Sequence, residues 1–145
     1  MLILKIVLAT GVPADTLTLA FDSRQKCRQR TWLDSGEEVG LQLPRGTILR
    51  GGALLGGEEG RVVAVVSAEE SVSTVHTPSV QNLARVAYHL GNRHQPLQIG
   101  DGWVRYLRDH VIDEMVKGLG LEIVNECQPF EPEPGAYEGG HHRGD

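Results

Sequence analysis

The sequence predicts an α+β protein with two domains, a small all-β domain followed by a domain that mixes strands and helices. From Leu2 to about Ala68, short Leu- and Val-rich stretches alternate with breakers rich in glycine, and no segment shows a helical stripe. After residue 69, two stretches space their apolar residues with the period of a helix that buries one face. Residues 131–145 are rich in proline, glycine and acidic residues, which predicts a flexible tail.

The N-terminal domain, residues 1–70, is predicted to consist of strands joined by turns. The segments LILKIVL, TLTLAF and RVVAVV are rich in Leu or β-branched residues and are predicted to be strands. Asp34-Ser35-Gly36 predicts a hairpin turn between two further extended segments. The glycines from Gly51 to Gly60 are interpreted as turn residues, because they match neither Gly-x-x-x-x-Gly-Lys-Ser/Thr nor Gly-x-Gly-x-x-Gly.

The C-terminal domain, residues 71–130, has the predicted element order β-α-β-β-α-β. Ser79 is placed to cap the first helix, and Asp109 is placed to cap the second. The buried stripes are Leu83, Val86, Ala87 and Leu90 in the first helix and Ile112, Met115, Val116 and Leu119 in the second. The strands are predicted around residues 72–75 and at 96–99, 103–107 and 121–127. This order specifies a ferredoxin-like sandwich, with two helices on one face of an antiparallel sheet.

Composition excludes several classes of protein. The chain has 145 residues and a net charge of -5, and residues 131–145 alone contain one cation and four acids. The acidic balance and the few aromatic residues argue against nucleic-acid binding. No apolar run is long enough to cross a membrane, and the apolar start is interpreted as a strand rather than a secretory signal. Cys27 and Cys127 lie far apart, which excludes a disulfide framework and favours reduced thiols in a cytoplasmic protein.

Histidines are the candidate metal ligands, because imidazole binds nickel, copper and zinc. The chain contains His76, His89, His94, His110, His141 and His142. If His89 and His94 were both helical, they would point about 140° apart, so they do not form a helical chelate. His141 and His142 can chelate because the predicted tail is free to bend, but two histidines alone give modest affinity. His76 and His89 are interpreted as structural or surface residues. No Gly-x-Ser-x-Gly string occurs, and nothing in the sequence argues for an enzyme, although a triad assembled in space stays open.

Four basic residues, Arg24, Lys26, Arg28 and Arg30, recur at every second position. In one extended strand they would share a face, with Cys27 on the other face. Such a stripe is either a docking surface for an acidic partner or a solvated strand edge that charge protects from aggregation.

The stretch Gly91-Asn92-Arg93-His94-Gln95-Pro96, preceded by Tyr88-His89-Leu90, resembles the signature of the UreE family, the nickel metallochaperones of urease assembly. Single motifs of this kind are weak, but several occur in the family's order along nearly the whole chain. The further matches are RQKCRQR at residues 24–30, Pro44-Arg45-Gly46-Thr47, Gly102-Trp103-Val104-Arg105-Tyr106, Asp109-His110-Val111-Ile112-Asp113 and Pro129-Phe130-Glu131-Pro132.

The resemblance implies a homodimer joined through its C-terminal domains, with His94 as the central nickel ligand. A two-fold axis would bring two copies of His94 together around one exchangeable ion, which could also be copper or zinc. His141 and His142 would complete the coordination. His110 matches a second, peripheral site, but some members carry another histidine where this chain has Arg108, so His110 is alternatively a helix-start residue.

The resemblance also implies partners and leaves two rival functions. The expected partners are UreG, the GTPase of urease maturation, and through it the apo-urease assembly complex, with docking through the N-terminal domain. One rival is a ferredoxin-like protein- or RNA-interaction module without metal transfer. Another is an enzyme with a metal at His94 and His110. For His94 itself, the alternative is a loop histidine that bonds its own backbone.

Overall fold

A computed structural model describes residues 1–57 and 59–134. Contacts divide the chain into one unit built from Met1–Ala68 and another built from Glu69–Glu133. Apart from one helical turn, the regular structure of the first unit is β, and the second unit combines strands with two longer helices. The α+β class and the all-β character of the N-terminal domain therefore agree with the prediction.

The N-terminal domain is a six-stranded mixed sheet in the order β2-β6-β5-β1-β4-β3. Its elements are β1 Leu2–Leu8, β2 Asp15–Leu19, α1 Phe21–Arg24, β3 Arg28–Trp32, β4 Glu38–Gln42, β5 Leu54–Gly57 and β6 Val62–Ser67. The pairs β1–β4 and β2–β6 are parallel, and the other neighbours are antiparallel. Because side chains alternate along a strand, one face supplies an apolar core that includes Leu4, Leu17, Val39, Leu41, Leu55 and Val63.

The predicted hairpin at Asp34-Ser35-Gly36 is confirmed. β3 and β4 pair antiparallel, with Trp32 opposite Glu38. The N–H groups of Leu33 and Gly36 donate to Glu37 O and Leu33 O, both at 2.8 Å. Gly36 has φ +98°, a backbone conformation that favours glycine.

Two glycines that were interpreted as turn residues lie in a strand instead. Gly56 and Gly57 belong to β5, which pairs antiparallel with β1. A Cβ atom at Gly57 would collide with the carbonyl oxygen of Ile3. Glycine is required here because two backbones approach closely. The sequence alone does not distinguish a glycine of this kind from a turn glycine.

The C-terminal domain is a four-stranded antiparallel sheet in the order β10-β7-β9-β8. Its elements are β7 Glu69–His76, α2 Val80–Asn92, β8 Gln98–Gly100, β9 Trp103–Leu107, α3 His110–Gly118 and β10 Val124–Pro129. The predicted order of strands and helices is confirmed. The last strand begins at Val124 rather than Leu121, because Leu121 and Ile123 pack against the core before it starts.

Both predicted helix caps are present. Ser79 Oγ accepts a hydrogen bond from the N–H of Asn82 at 3.1 Å, and Asp109 Oδ1 accepts one from Ile112 at 3.0 Å. The helices pack on one core that includes Val75, Val86, Leu90, Val104, Ile112 and Val116. No helix in residues 1–57 and 59–134 is long and apolar enough to cross a membrane.

Candidate metal site

His94 lies in the turn that closes helix α2. Arg93 is the C-cap, and the N–H of His94 donates to Gly91 O at 2.9 Å. The N–H of Gln95 donates to Leu90 O at 3.1 Å. These two bonds form a Schellman motif, in which the residue after the C-cap adopts a left-handed conformation.

A histidine occupies the position of this motif at which glycine is favoured. His94 has φ +55°, and it is the non-glycine residue with positive φ among those that the structure describes. For an L-residue this conformation costs on the order of 1 kcal/mol, and such strain is concentrated at functional sites.

The imidazole of His94 is exposed. Within the described ranges it has neither a hydrogen bond nor an ion pair, so the alternative of a loop histidine that bonds its own backbone is not supported. Its nitrogens are therefore available to a ligand.

The chain returns to the His94 loop after the last strand. The N–H of Glu133 donates to Leu97 O at 2.8 Å, and the N–H of Glu131 donates to Gln98 Oε1 at 3.0 Å. These bonds hold Glu131 and Glu133 at Leu97 and Gln98, so the predicted flexibility does not hold for the start of the tail, and residues 135–145 lie outside the described residues. Leu97 is three residues from His94, which limits their separation to about 11 Å. His141 and His142 lie outside the described residues.

His110 is the first residue of α3 and is exposed, as is Arg108. The positive end of the helix dipole and the Arg108 guanidinium both disfavour a cation near this imidazole. Within the described residues, no group of three His, Cys, Asp or Glu side chains is placed to hold a metal ion. His94 and His110 therefore each offer a single imidazole rather than a preformed cluster.

The other two described histidines lie beside aromatic rings. His76 is 6.4 Å from Trp103 and His89 is 5.3 Å from Tyr88, measured between ring centroids. Both contacts agree with the interpretation of these histidines as structural or surface residues.

The predicted basic stripe does not form a single strand. Arg24 ends α1 and is 0% exposed, and its Nε and one terminal nitrogen donate to Leu19 O and Leu49 O. The assignment of Arg24 to a docking surface is therefore wrong, because a one-turn helix directs its guanidinium into the protein. Lys26 precedes β3 and forms an exposed ion pair with Asp22 at 3.6 Å. Arg28 and Arg30 lie on β3 and are exposed.

Asp113 of α3 is a buried carboxylate whose structural role was not predicted from the sequence. It accepts hydrogen bonds from Tyr106 at 2.6 Å, Ser73 at 2.7 Å and Asn125 at 3.3 Å, and Asn125 also donates to Ser73 at 2.8 Å. Its position three residues before Val116, on the buried side of the helix, is the signal that could have identified it.

Hydrogen bonding decides the charge state of this group. Burial acts to raise the pKa of Asp113, but hydrogen bonds from Tyr106, Ser73 and Asn125 outweigh it, so the pKa lies below its ordinary value. Burial and the adjacent Asp113 raise the pKa of Tyr106. The pair is therefore a carboxylate and a neutral phenol that hold α3 on the sheet beside His110.

Comparisons with known proteins give one consistent family. The family model described as the C-terminal domain of the UreE urease accessory protein matches residues 70–145, and the N-terminal-domain model matches residues 6–68. A urease accessory protein UreE of Alkalilimnicola ehrlichii is 59% identical over 140 residues, which cover 96% of this chain and 86% of the relative. The urease accessory protein UreE of Proteus mirabilis is 52% identical over 131 residues, which cover 90% of this chain and 81% of the relative.

A third relative, the UreE of Pseudomonas putida, is 53% identical over 134 residues, which cover 92% of this chain and 80% of its own length. The family consists of accessory chaperones and not of enzymes, so the rival in which His94 and His110 hold a catalytic metal is excluded. Both domains of this chain match, in order and over most of their length. The chain therefore belongs to the UreE family of urease accessory proteins.

Proposed function

We propose that this protein is a cytoplasmic, homodimeric chaperone that binds nickel and delivers it during urease maturation. The observation that carries the proposal is His94, an exposed imidazole held in a strained left-handed conformation within the helix-closing turn. A fold bears such strain where the side chain has a role that glycine cannot fill. Membership of a urease accessory family supports the role in maturation.

The proposed site is shared between two subunits. One imidazole fills one coordination position, whereas nickel requires several. A two-fold axis through neighbouring His94 loops would supply two imidazoles and leave the other positions open, so that the ion stays exchangeable. Copper and zinc bind the same donor type, and we propose that they compete for this site.

The hydrogen bonds that fix Glu131 and Glu133 support a role for His141 and His142 in the same site. They anchor the last described residues beside the loop that carries His94. From Glu133 to His141 the chain spans at most about 29 Å, since an extended residue covers about 3.6 Å. The tail histidines are therefore within reach of the ion, and removing residues 135–145 should weaken nickel binding without abolishing it.

We propose different roles for the two domains. The strand order β10-β7-β9-β8 supports a ferredoxin-like topology for residues 71–130, which carry the metal site and dimer contacts. Residues 1–70 dock the maturation partners, UreG and through it apo-urease, and exposed Lys26, Arg28 and Arg30 support this assignment. The rival function, an interaction module without metal transfer, would bind no nickel.

Nickel equilibrium dialysis with size-exclusion chromatography tests the proposal. We expect one tightly bound ion per dimer. His94→Ala should weaken binding by about 100-fold or more, because loss of an outer-shell partner of a ligand already costs about 10–100-fold in metal affinity and this variant removes the ligand itself. The matched control is His76→Ala, which removes another exposed imidazole and should leave affinity unchanged. His110→Ala should have a much smaller effect than His94→Ala. Unchanged affinity in His94→Ala, or equal affinity in a monomer, would contradict the proposal.

A further inference from the structure

Arg93, the residue before His94, has its side chain held against helix α3. Its backbone closes α2 as the C-cap, and its N–H donates to Leu90 O at 3.1 Å. Its side-chain Nε donates to Met115 Sδ at 3.0 Å. Met115 is partly buried and packs against the core of the C-terminal domain, so the guanidinium has a fixed anchor beside the loop that carries His94.

This hydrogen bond leaves the charge of Arg93 uncompensated. Three other arginines of the chain pair with glutamates, at 3.1, 2.6 and 3.5 Å; they are Arg30, Arg61 and Arg105. Arg93 is exposed and pairs with no carboxylate in the part of the chain that the structure describes. A thioether is a weak and uncharged acceptor, so the guanidinium keeps its full positive charge.

Two electrostatic effects therefore oppose each other at His94. The carbonyl end of α2 has partial negative charge and attracts a cation, whereas the guanidinium of Arg93 repels one. Since successive Cα atoms are about 3.8 Å apart, this guanidinium lies within about 10 Å of the His94 Cα. That separation is close to the Debye length of about 8–10 Å at moderate salt, so the repulsion acts on a bound ion and depends on salt.

We propose that Arg93 sets the metal affinity of this site, because its charge weakens the binding of a divalent cation at His94 and keeps the ion exchangeable. The inference rests on the proposed nickel site. In that site, two-fold symmetry places a second Arg93 beside the same ion, which doubles the repulsion. Arg93 is not a ligand, and its effect on the ion is electrostatic.

Arg93→Gln tests the role of the charge, because it keeps a polar side chain and removes the cation. Equilibrium dialysis of the full chain against nickel measures affinity at pH 8, where free imidazole is neutral. At low salt, Arg93→Gln should bind nickel about threefold to tenfold more tightly than the unaltered chain. Arg93→Lys keeps the charge and should leave the affinity near its original value.

Salt and a second arginine separate this charge from other effects. The tightening in Arg93→Gln should disappear in 1 M NaCl, where the Debye length is only about 3 Å. Arg85→Gln is the matched control, since Arg85 is exposed, bonds the neutral Asn82 and lies about 12 Å further back along the same helix. It should change nickel affinity by less than about twofold at low salt.

Met115→Leu distinguishes the charge from its anchor. Leucine replaces methionine with little change in volume, removes the sulfur acceptor and leaves the guanidinium in place. Nickel affinity should therefore stay within about twofold of that of the unaltered chain. Tightening equal to that of Arg93→Gln would mean that the hydrogen bond acts by holding the loop, and it would overturn the inference.

The remaining outcomes separate this inference from the proposed function. Unchanged or weaker nickel binding in Arg93→Gln at low salt, or tightening that persists in 1 M NaCl, would refute the role of the charge. If His94→Ala still lost tight binding, the nickel site itself would stand. Unchanged affinity in His94→Ala would instead refute the nickel site and the role of Arg93 together.

Discussion

Among the residues that the structure describes, each domain buries one charged side chain, and the two charges are accommodated in different ways. Arg24 of the N-terminal domain is 0% exposed and Asp113 of the C-terminal domain is 6% exposed. The Arg24 guanidinium donates to the backbone oxygens of Leu19 and Leu49, and it lies 5.5 Å from the Phe21 ring. Asp113 instead accepts hydrogen bonds from side chains.

The difference shows what each charge stabilises. Because Arg24 bonds main-chain atoms, and Leu49 N–H donates back to Arg24 O at 3.0 Å, it fixes the loop before β5 against the end of β2. The partners of Asp113, Ser73, Tyr106 and Asn125, lie on β7, β9 and β10. Asp113 therefore ties α3 to three strands at once, and losing it leaves Ser73 and Tyr106 without their acceptor, whereas Asn125 keeps its hydrogen bond to Ser73.

The largest effect is expected at Asp113. Asp113→Ala should lower the free energy of unfolding by about 3–5 kcal/mol, because it removes several hydrogen bonds to a buried charge and leaves their donors unsatisfied. Urea denaturation followed by circular dichroism measures this. Asp101→Ala, at an exposed turn residue of the same domain, is the control and should change stability by less than about 0.5 kcal/mol. A loss below about 1 kcal/mol at Asp113 would contradict the role of the network.

Arg24→Ala should have the next largest effect, a loss of about 2–4 kcal/mol. It deletes the hydrogen bonds to two backbone oxygens and leaves a cavity where the aliphatic part of the side chain packed. Arg85→Ala is the matched control, since Arg85 is exposed and bonds Asn82 on its own helix. Equal stability of the two variants would show that the buried guanidinium does not fix its loop.

These two residues also show where prediction from sequence fails. Helices α2 and α3 were predicted with their caps, because apolar period and capping chemistry are local signals. Arg24 was assigned to a docking stripe because basic residues at every second position predict an extended strand. That pattern gives no sign of a one-turn helix whose Arg24 side chain bonds Leu49, 25 residues away. Asp113 was overlooked because its donors come from three strands. His94 was identified by resemblance, but its strained backbone is visible only in the structure.

Acid pH protonates the Asp113 carboxylate, which makes acid stability a way to separate its role from that of Arg24. The pKa of Asp113 is lowered in the folded protein from an ordinary value of 3.8. Its contribution to stability is thus complete above 3.8 and is lost as pH falls through the folded pKa, because the unfolded state then binds more protons. The slope from one such group approaches about 1.4 kcal/mol per pH unit.

Asp113→Asn should therefore give a shallower dependence of unfolding free energy on pH below 3.8 than the unaltered chain. Arg24→Ala should keep the original slope, because it leaves Asp113 and the hydrogen bonds of that carboxylate in place. Urea titrations at several pH values between 4 and 2 measure both. Identical slopes in the unaltered chain and Asp113→Asn would show that the carboxylate has the same pKa folded and unfolded.

The smallest effect is expected at His94, where the cost lies in the backbone rather than in a buried charge. His94→Gly should raise the free energy of unfolding by about 1 kcal/mol, because glycine adopts φ +55° without the clash that Cβ causes. The free energy of unfolding of His94→Asn should lie between those of His94→Gly and His94→Ala, because asparagine tolerates the same conformation better than alanine. Thermal unfolding without metal measures the series. We expect His94→Gly to stabilise the apoprotein and to lose nickel affinity. Such a result would show that His94 is retained for function at a cost in stability. A destabilised His94→Gly would instead mean that the imidazole supports the fold.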